Sequence, residues 1–363
     1  MKRWAFFSLA AIIAVFCLAQ SAQAITVGTV PADQIDEAMN NPSGNQDLTL
    51  SLSDIAANGS VTSLGTSVIS DGSAIHIGNV IYMTNSIGFQ KQTVGSATAT
   101  TIRKGGTFEL KERQNNTMVV SNSAKGGKGS FVYNGATKKL TNFSPTVRAI
   151  TAASLVKGGS ALAMIAKNGQ GKQKIFLSRA SLTKVVEYPL PKYATSCAGI
   201  VLSPNTKMAF VGCAFNVPGK PKGQHGYALL AISKGKISEK RTVSNQTVQY
   251  AAWLSNTHLI TIQAGEDGTS TFLDNTVSAN KIASSKTLGS AYFTVINDRS
   301  VLAMPFQVIR ATADAFWYSY IYFNTDEALT IPDGIFLGLY DRALSADSVL
   351  LNDYTFTYFT DMQ

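Results

Sequence analysis

The amino-acid sequence predicts an all-β chain arranged as a seven-bladed β-propeller. Three observations predict it: turn-forming tetrads recur every 42–51 residues, a short apolar strand follows each one, and helical periodicity is almost absent between them. The tetrads are Ser70-Asp71-Gly72-Ser73, Gln114-Asn115-Asn116-Thr117, Lys157-Gly158-Gly159-Ser160, Pro204-Asn205-Thr206-Lys207, Ser255-Asn256-Thr257-His258, Asn297-Asp298-Arg299-Ser300 and Ser345-Ala346-Asp347-Ser348. Their starts lie 44, 43, 47, 51, 42 and 48 residues apart. The rival partition is a six-bladed ring with a separate β segment.

Residues 1–24 read as a cleaved signal peptide. Lys2 and Arg3 precede the apolar run Trp4 to Ala19, and Ala22-Gln23-Ala24 has the small-x-small pattern of a cleavage site. The run is shorter than the ~20 residues of a membrane span, and no later stretch is long enough. Cys17 raises a lipoprotein alternative, against which Phe16 stands where such signals carry a small residue. Cleavage before Ile25 implies a periplasmic or secreted product. Loss of Lys2 and Arg3 lowers the formal charge from +9 to +7 on a chain with 15% charged residues. That excess suits an anionic partner and equally suits solubility.

Residues 25–59 stand outside the repeat and are expected to form an N-terminal extension. They hold a strand at Ile25 to Val30, a helix-like stretch at Asp33 to Asn40, a polar linker at Asn41 to Asn45 and a strictly alternating strand at Asp47 to Ser53. The propeller itself is expected over residues 60–363. Only Val349 to Gln363 follow the last tetrad, which is room for two strands. The outer strand of that blade is therefore expected from Asp47 to Ser53 or Ile25 to Val30, closing the ring and removing an exposed sheet edge.

Within a repeat, the strands flanking a tetrad are apolar on both sides, as in Ala251 to Leu254 and Leu259 to Ile262. The second pair is amphipathic: Lys174 to Leu177 with Lys184 to Tyr188, and Tyr227 to Ile232 with Lys236 to Val243. Inner strands covered by neighbouring blades and outer strands meeting water account for the difference. Cys197 and Cys213 lie equidistant from Asn205, so folding about that turn sets them opposite each other at near-disulfide spacing. A bond there is worth about 3 kcal/mol in the chain-entropy model and fits an oxidising compartment.

Leu202-Ser203-Pro204-Asn205-Thr206-Lys207-Met208-Ala209-Phe210-Val211 resembles the Ser-Pro-Asp-Gly-Lys strand–turn–strand signature of bacterial propeller repeats, such as the lactonase-like and TolB-like families. Thr206 stands where that signature prefers glycine. The resemblance implies the architecture over residues 60–363 and no particular activity. A ten-residue match to the terminal motif of laminin-G-like jelly rolls, Gly338 to Asp347, lies on the repeat and is read as coincidence.

Catalytic constellations are scarce. His76, His225 and His258 fall in different blades without metal-ligand spacing, and no nucleophile elbow, phosphate loop or calcium loop occurs. Adjacent carboxylates occur at Asp36-Glu37, Glu266-Asp267 and Asp326-Glu327, where they read as solvated. No catalytic residue, metal or cofactor is assigned.

The site expectation is positional. Loops between the second and third strands emerge on the same face as the blade-to-blade connections. They carry Lys125 and Lys128 in one blade, Lys167 and Lys172 in the next, and Lys220 and Lys222 beside His225 in the third. The equivalent loop of the following blade is Glu266-Asp267-Gly268, where the basic sector stops. The Cys197–Cys213 clamp would hold the base of the Asn216 to Gly226 loop rigid. A second surface, the aromatic run in Phe306 to Tyr322, reads first as packing between blades and second as an exposed patch for sugars or proteins.

These readings point to an exported, non-enzymatic binding or scaffold module. Its expected partner is a protein or an anionic glycan or other envelope component. Nucleic acid is disfavoured, because aromatic residues are not interleaved with the lysines. The alternative is a propeller hydrolase or lyase with its site in the central channel.

Overall fold

The computed structural model describes residues 25–30, 48–56, 60–69, 74–85, 87–124, 129–234, 236–239, 246–265, 269–279, 281–296, 299–311, 315–325, 334–341, 346–353 and 356–359. Residues 1–24, expected as a signal peptide, the expected helix-like stretch Asp33 to Asn40, the tetrad Ser70 to Ser73 and the segment Glu266-Asp267-Gly268 lie outside them. The described chain folds as a propeller of seven antiparallel sheets, six of four strands and one of five. Sheet I joins Phe356–Phe359 to Ile25–Val30, Leu48–Ile55 and Val61–Ile69. Sheets II to VI are consecutive four-strand meanders over residues 74–104, 108–142, 150–188, 194–239 and 248–290. Sheet VII, residues 292–353, has five strands.

The core is distributed between sheets. Six clusters of buried apolar side chains each bridge two neighbours among the described residues. Leu50 and Leu52 of sheet I meet Ile81 and Met83 of sheet II, and Phe89 meets Phe108, Phe131 and Tyr133 of sheet III. Further round, Ile165 and Ile175 of sheet IV meet Ile200, Val211 and Leu230 of sheet V. The pattern follows from strands such as Thr117–Asn122, which is buried at every position. A strand apolar on both faces must be covered on both.

The number of blades agrees with the spacing of the tetrads, but the partition differs at both ends. The five middle tetrads turn between the first two strands of sheets III to VII. The first tetrad instead lies in sequence between the last strand of sheet I and the first of sheet II, and the last tetrad overlaps the start of the final strand of sheet VII, Ala346–Asp353. An apolar–turn–apolar pattern looks alike in both settings, so spacing alone does not separate them. The closing sheet also differs from expectation. Ile25–Val30 and Leu48–Ile55 form its interior, and the C-terminal strand Phe356–Phe359 pairs with Ile25–Val30. Residues 25–59 thus contribute two strands to a sheet completed by Val61–Ile69 and the C-terminal strand, rather than an outer strand to the last sheet.

One irregularity recurs that the sequence does not announce. The first strands of sheets III to VI each shift register near their start, at Leu110/Glu112, Ile150/Ala152, Ala194/Ser196 and Val248/Tyr250. Sheet V shifts a second time, at Cys197/Gly199. Such bulges bend a strand and re-aim its side chains.

The Ser203–Lys207 turn shows how local chemistry holds a hairpin. The Ser203 hydroxyl accepts from the Met208 N–H (3.0 Å), and Asn205 Oδ1 accepts from the Lys207 N–H (3.0 Å). The Asn205 N–H donates to Asn256 Oδ1 (2.9 Å) in the matching turn of sheet VI. Thr206 sits at φ +61°, a left-handed conformation that disfavours a β-branched residue. Replacing Thr206 with glycine, the residue the related signature prefers, is expected to raise stability by about 1 kcal/mol. Chemical denaturation of both proteins measures it, and an unchanged or lower midpoint would contradict the strain.

Candidate functional site

Strand direction alternates through each sheet, so the connections divide between two faces. The first and third turns lie on one, the turn face. The loops between second and third strands and the sheet-to-sheet connections lie on the other, the loop face. Lys167, Lys172, Lys220, Lys222 and His225 are all exposed and lie on the loop face of sheets IV and V. Lys125 and Lys128 lie outside the described residues.

Side-chain amides hold these loops. Asn168 is buried at the head of the sheet IV loop, and its Oδ1 accepts from the N–H groups of Gln170 (3.0 Å) and Lys172 (3.1 Å). Its Nδ2 donates to Glu187 Oε1 (3.1 Å). In sheet V, Asn216 Oδ1 accepts from the Gly223 N–H (2.8 Å), and the Asn216 N–H donates to the Tyr193 carbonyl (2.9 Å). Cys197 and Cys213 are register partners and form the disulfide beneath that loop. Gln173 locks the clamp to sheet IV: it accepts from the Cys197 N–H (2.8 Å) and donates to the Cys197 carbonyl (2.8 Å). Two loops of adjacent sheets are thereby fixed relative to each other before any partner arrives.

Sequence reasoning missed three participants. Gln173 follows Lys172 and carries no motif. Arg148 and Lys192 are exposed in the sheet-to-sheet connections, and backbone bonds tie those connections to the lysine loops. The Arg148 N–H donates to the Lys167 carbonyl (2.8 Å), and the loop of Lys192 meets Asn216 through Tyr193. Lys192 Nζ lies 4.8 Å from the Tyr193 ring centre, a cation–π distance. Only the folded ring brings these positions beside the second-to-third-strand loops.

The charge asymmetry is larger than the loops alone suggest. Residues 108–239, which supply sheets III to V, contain 19 lysines and arginines and 4 acids; the other residues contain 12 and 18. About half of the ring is therefore strongly basic and the rest mildly acidic. The turn face of the basic half is also basic, with Lys138, Lys157, Arg179, Lys207 and Lys234 exposed there. Side-chain amides hold turns on both faces, as Asn205 does at Lys207; what sets the loop face apart is the disulfide under its lysines.

The ring centre holds a second set of groups. Glu112, in the first strand of sheet III, is buried. Burial pushes its carboxyl well above the usual glutamate value, against the smaller opposing pull of the Arg113 N–H and charge. Tyr250, in the first strand of sheet VI, has its phenol pushed up by burial and then by the charge of Glu112. These strands are three sheets apart around the ring, so the two side chains approach each other across its centre. The Tyr250 hydroxyl donates to the Val308 carbonyl of sheet VII. The pair is polar and titratable, but it is packed and internally bonded.

The histidines do not converge. His76 is buried in the first strand of sheet II, His225 is exposed on the loop face, and His258 lies at the turn face with Nδ1 3.1 Å from Asp274 Oδ1. Among the described residues no three His, Cys, Asp or Glu side chains group as metal ligands, and no helix is long and apolar enough to cross a membrane. Most of the aromatic run is packing, although Phe306 at its start is exposed. Phe316, Tyr318 and Tyr320 are buried against Phe272 and Ile260 of sheet VI, and Trp317 is buried on the opposite side of the same strand.

No protein-family model matches this chain, and no curated protein matches it in sequence. Among solved structures, the tricorn protease matches at 10% identity and a TM-score of 0.51, over 84% of this chain and 34% of its own. The chain thus spans about a third of that protein. A Bacteroides uniformis protein described as a 6-phosphogluconolactonase matches at 10% identity over 88% of this chain and 100% of its own, with a TM-score of 0.46. TolB from Acinetobacter baumannii matches at 11% identity over 70% and 61%, with a TM-score of 0.39. Lactonase-like and TolB-like propellers are thus among the structural neighbours, and at these identities the likeness is one of fold.

The Glu112 carboxyl makes stability depend on pH. Its folded-state pKa lies above its ordinary value of 4.5, so between the two the native state holds more protons than the unfolded chain. Stability then falls as pH rises through that window. Glu112→Gln is expected to match the wild-type melting temperature near pH 4 and to exceed it by a growing margin toward pH 7. A difference that stays constant with pH would show that Glu112 does not titrate this way.

Proposed function

We propose that this protein is an exported binding module that grips an anionic macromolecule with the loop face of its basic half. The observation that carries the reading is the set Arg148, Lys167, Lys172, Lys192, Lys220 and Lys222, exposed on loops that Asn168, Asn216, Gln173 and the Cys197–Cys213 bond hold in place. Rigid loops lose little entropy on binding, so their charges act as an array rather than as independent flexible ions. Export is the companion proposal. It rests on the signal-like residues 1–24 and on a disulfide, which persists in an oxidising compartment. A lactonase-like or other lytic activity in the channel is the second reading. It rests on Glu112, whose raised pKa would suit a general acid.

The test is retention of residues 25–363 on immobilised polyaspartate and on an immobilised sulfated glycan across a salt gradient. A variant with Lys167, Lys172, Lys220 and Lys222 changed to glutamate is expected to elute at much lower salt, with its melting temperature nearly unchanged. A turn-face variant with Lys138, Lys157, Arg179 and Lys207 changed to glutamate should keep most of the retention. Equal loss in the two variants would reduce the effect to net charge and remove the loop-face site.

A further inference from the structure

A cleft of about 190 Å³ lies between sheets V and VI, beside the disulfide and on the loop face. Two glycines in its wall, Gly199 and Gly212, are register partners in the first two strands of sheet V. The fold does not need glycine at either. Neither has a left-handed φ, and a Cβ built on either would meet no atom within 4 Å. Glycine within a strand marks a bulge or a place where a ligand or another backbone comes close; Gly199 sits at a register shift, and Gly212 opposite it has open space before it. The second register shift of sheet V, at Cys197/Gly199, and the shift at Val248/Tyr250 of sheet VI both fall on this cleft.

The chemistry of the wall narrows the occupant. Ser196 and Thr247 offer hydroxyls, and Gln249 is anchored through its Oε1 by the Ser270 hydroxyl (2.9 Å), which leaves the amide N–H groups as donors. Tyr250 also borders the cleft, but its side chain packs into the cluster between sheets VI and VII and its hydroxyl donates to the Val308 carbonyl. No Lys, Arg, Asp or Glu lines the cleft. His225 does line it, and Lys222 is three residues away, which places the two within about 11 Å even in extended chain. The site thus sets a few neutral hydroxyl-bonding groups in a largely apolar and glycine-lined wall, with cationic loops at its rim. An aspartate or glutamate side chain would leave most of those polar groups unanswered, and unmatched groups cost binding energy.

We propose that this cleft holds one hexuronate residue of an anionic glycan. Ring hydroxyls meet Ser196, Thr247 and Gln249, and the carboxylate faces His225 and the Lys220–Lys222 loop. This rests on the loop-face reading and names the partner class within it.

Calorimetry with a linear tetramer of galacturonic acid, a neutral tetramer of galactose and polyaspartate tests it. The uronate tetramer is expected to bind the wild-type protein, and the neutral tetramer at least tenfold more weakly. Gly212→Val should lower uronate affinity at least tenfold with an unchanged or raised melting temperature, since valine suits a strand. Gln249→Ala should cost about tenfold, the scale of one hydrogen bond, while polyaspartate binding through the lysine loops is unchanged in both variants. Unaltered uronate affinity in Gly212→Val and Gln249→Ala would overturn the cleft and leave the loop face standing. Polyaspartate binding without uronate binding would overturn the sugar and favour an acidic peptide. Wild-type binding to neither anion would overturn both the cleft and the loop-face reading.

Discussion

Sheets II to VI each have strands that bury apolar side chains on both faces, and this requirement shapes the rest of the molecule. A sheet such as III, with Val119 packed toward sheet IV and Val120 toward sheet II, cannot stand without a neighbour on each side. Six such interfaces are visible among the described residues. They are reinforced by directional bonds between neighbouring sheets: the Leu202 N–H to the Ser154 hydroxyl, Trp253 Nε1 to the Val201 carbonyl, and the Ile150 N–H to the Ser121 hydroxyl. A row of mutually dependent sheets has two unsatisfied ends unless it closes. The pairing of Ile25–Val30 with Phe356–Phe359 answers that need by placing both ends of the described chain in one sheet.

Closure also explains why exposed charged side chains gather at the loops and turns. The interior of each interface is committed to packing, and the side chains at the centre, Glu112 and Tyr250, are packed and bonded as well. Variable chemistry is left to the connections, where the framework under them decides whether a charge is an array element or a solvated tip. In sheets IV and V the connections are unusually constrained. One glutamine bridges two sheets at the backbone of a cysteine, that cysteine is bonded to its register partner, and two asparagines close the adjacent loops. The disulfide therefore matters less as a global staple than as the point to which Gln173 ties the neighbouring sheet.

The division of charge follows the same geometry. Basic residues crowd sheets III to V on both faces, so long-range attraction of an anion needs no special site. Selectivity requires fixed positions, and the loop face supplies them. The cleft beside the clamp adds neutral polar groups within reach of the same lysines, a combination that charge density alone would not produce.

Much of this was legible from residue order. Turn chemistry and the both-sided apolarity of inner strands are local properties, so the all-β class, the number of blades and the Cys197–Cys213 pairing could be read directly. The symmetric placement of the two cysteines about Asn205 is a local fact of a hairpin. The positions of Lys167, Lys172, Lys220 and Lys222 on one face followed from strand parity. Tertiary structure decided what parity and spacing cannot express. It showed that residues 25–59 enter a sheet with Val61–Ile69 and the C-terminal strand, because a turn within a sheet and a turn between sheets share one sequence pattern. It put Arg148 and Lys192 beside the lysine loops and brought Gln173 onto Cys197. It also opened a cleft in front of Gly199 and Gly212 and brought the charge of Glu112 to bear on Tyr250. Each relates residues that are distant in sequence or belong to neighbouring sheets, and only closure of the ring fixes which distant residues are brought together.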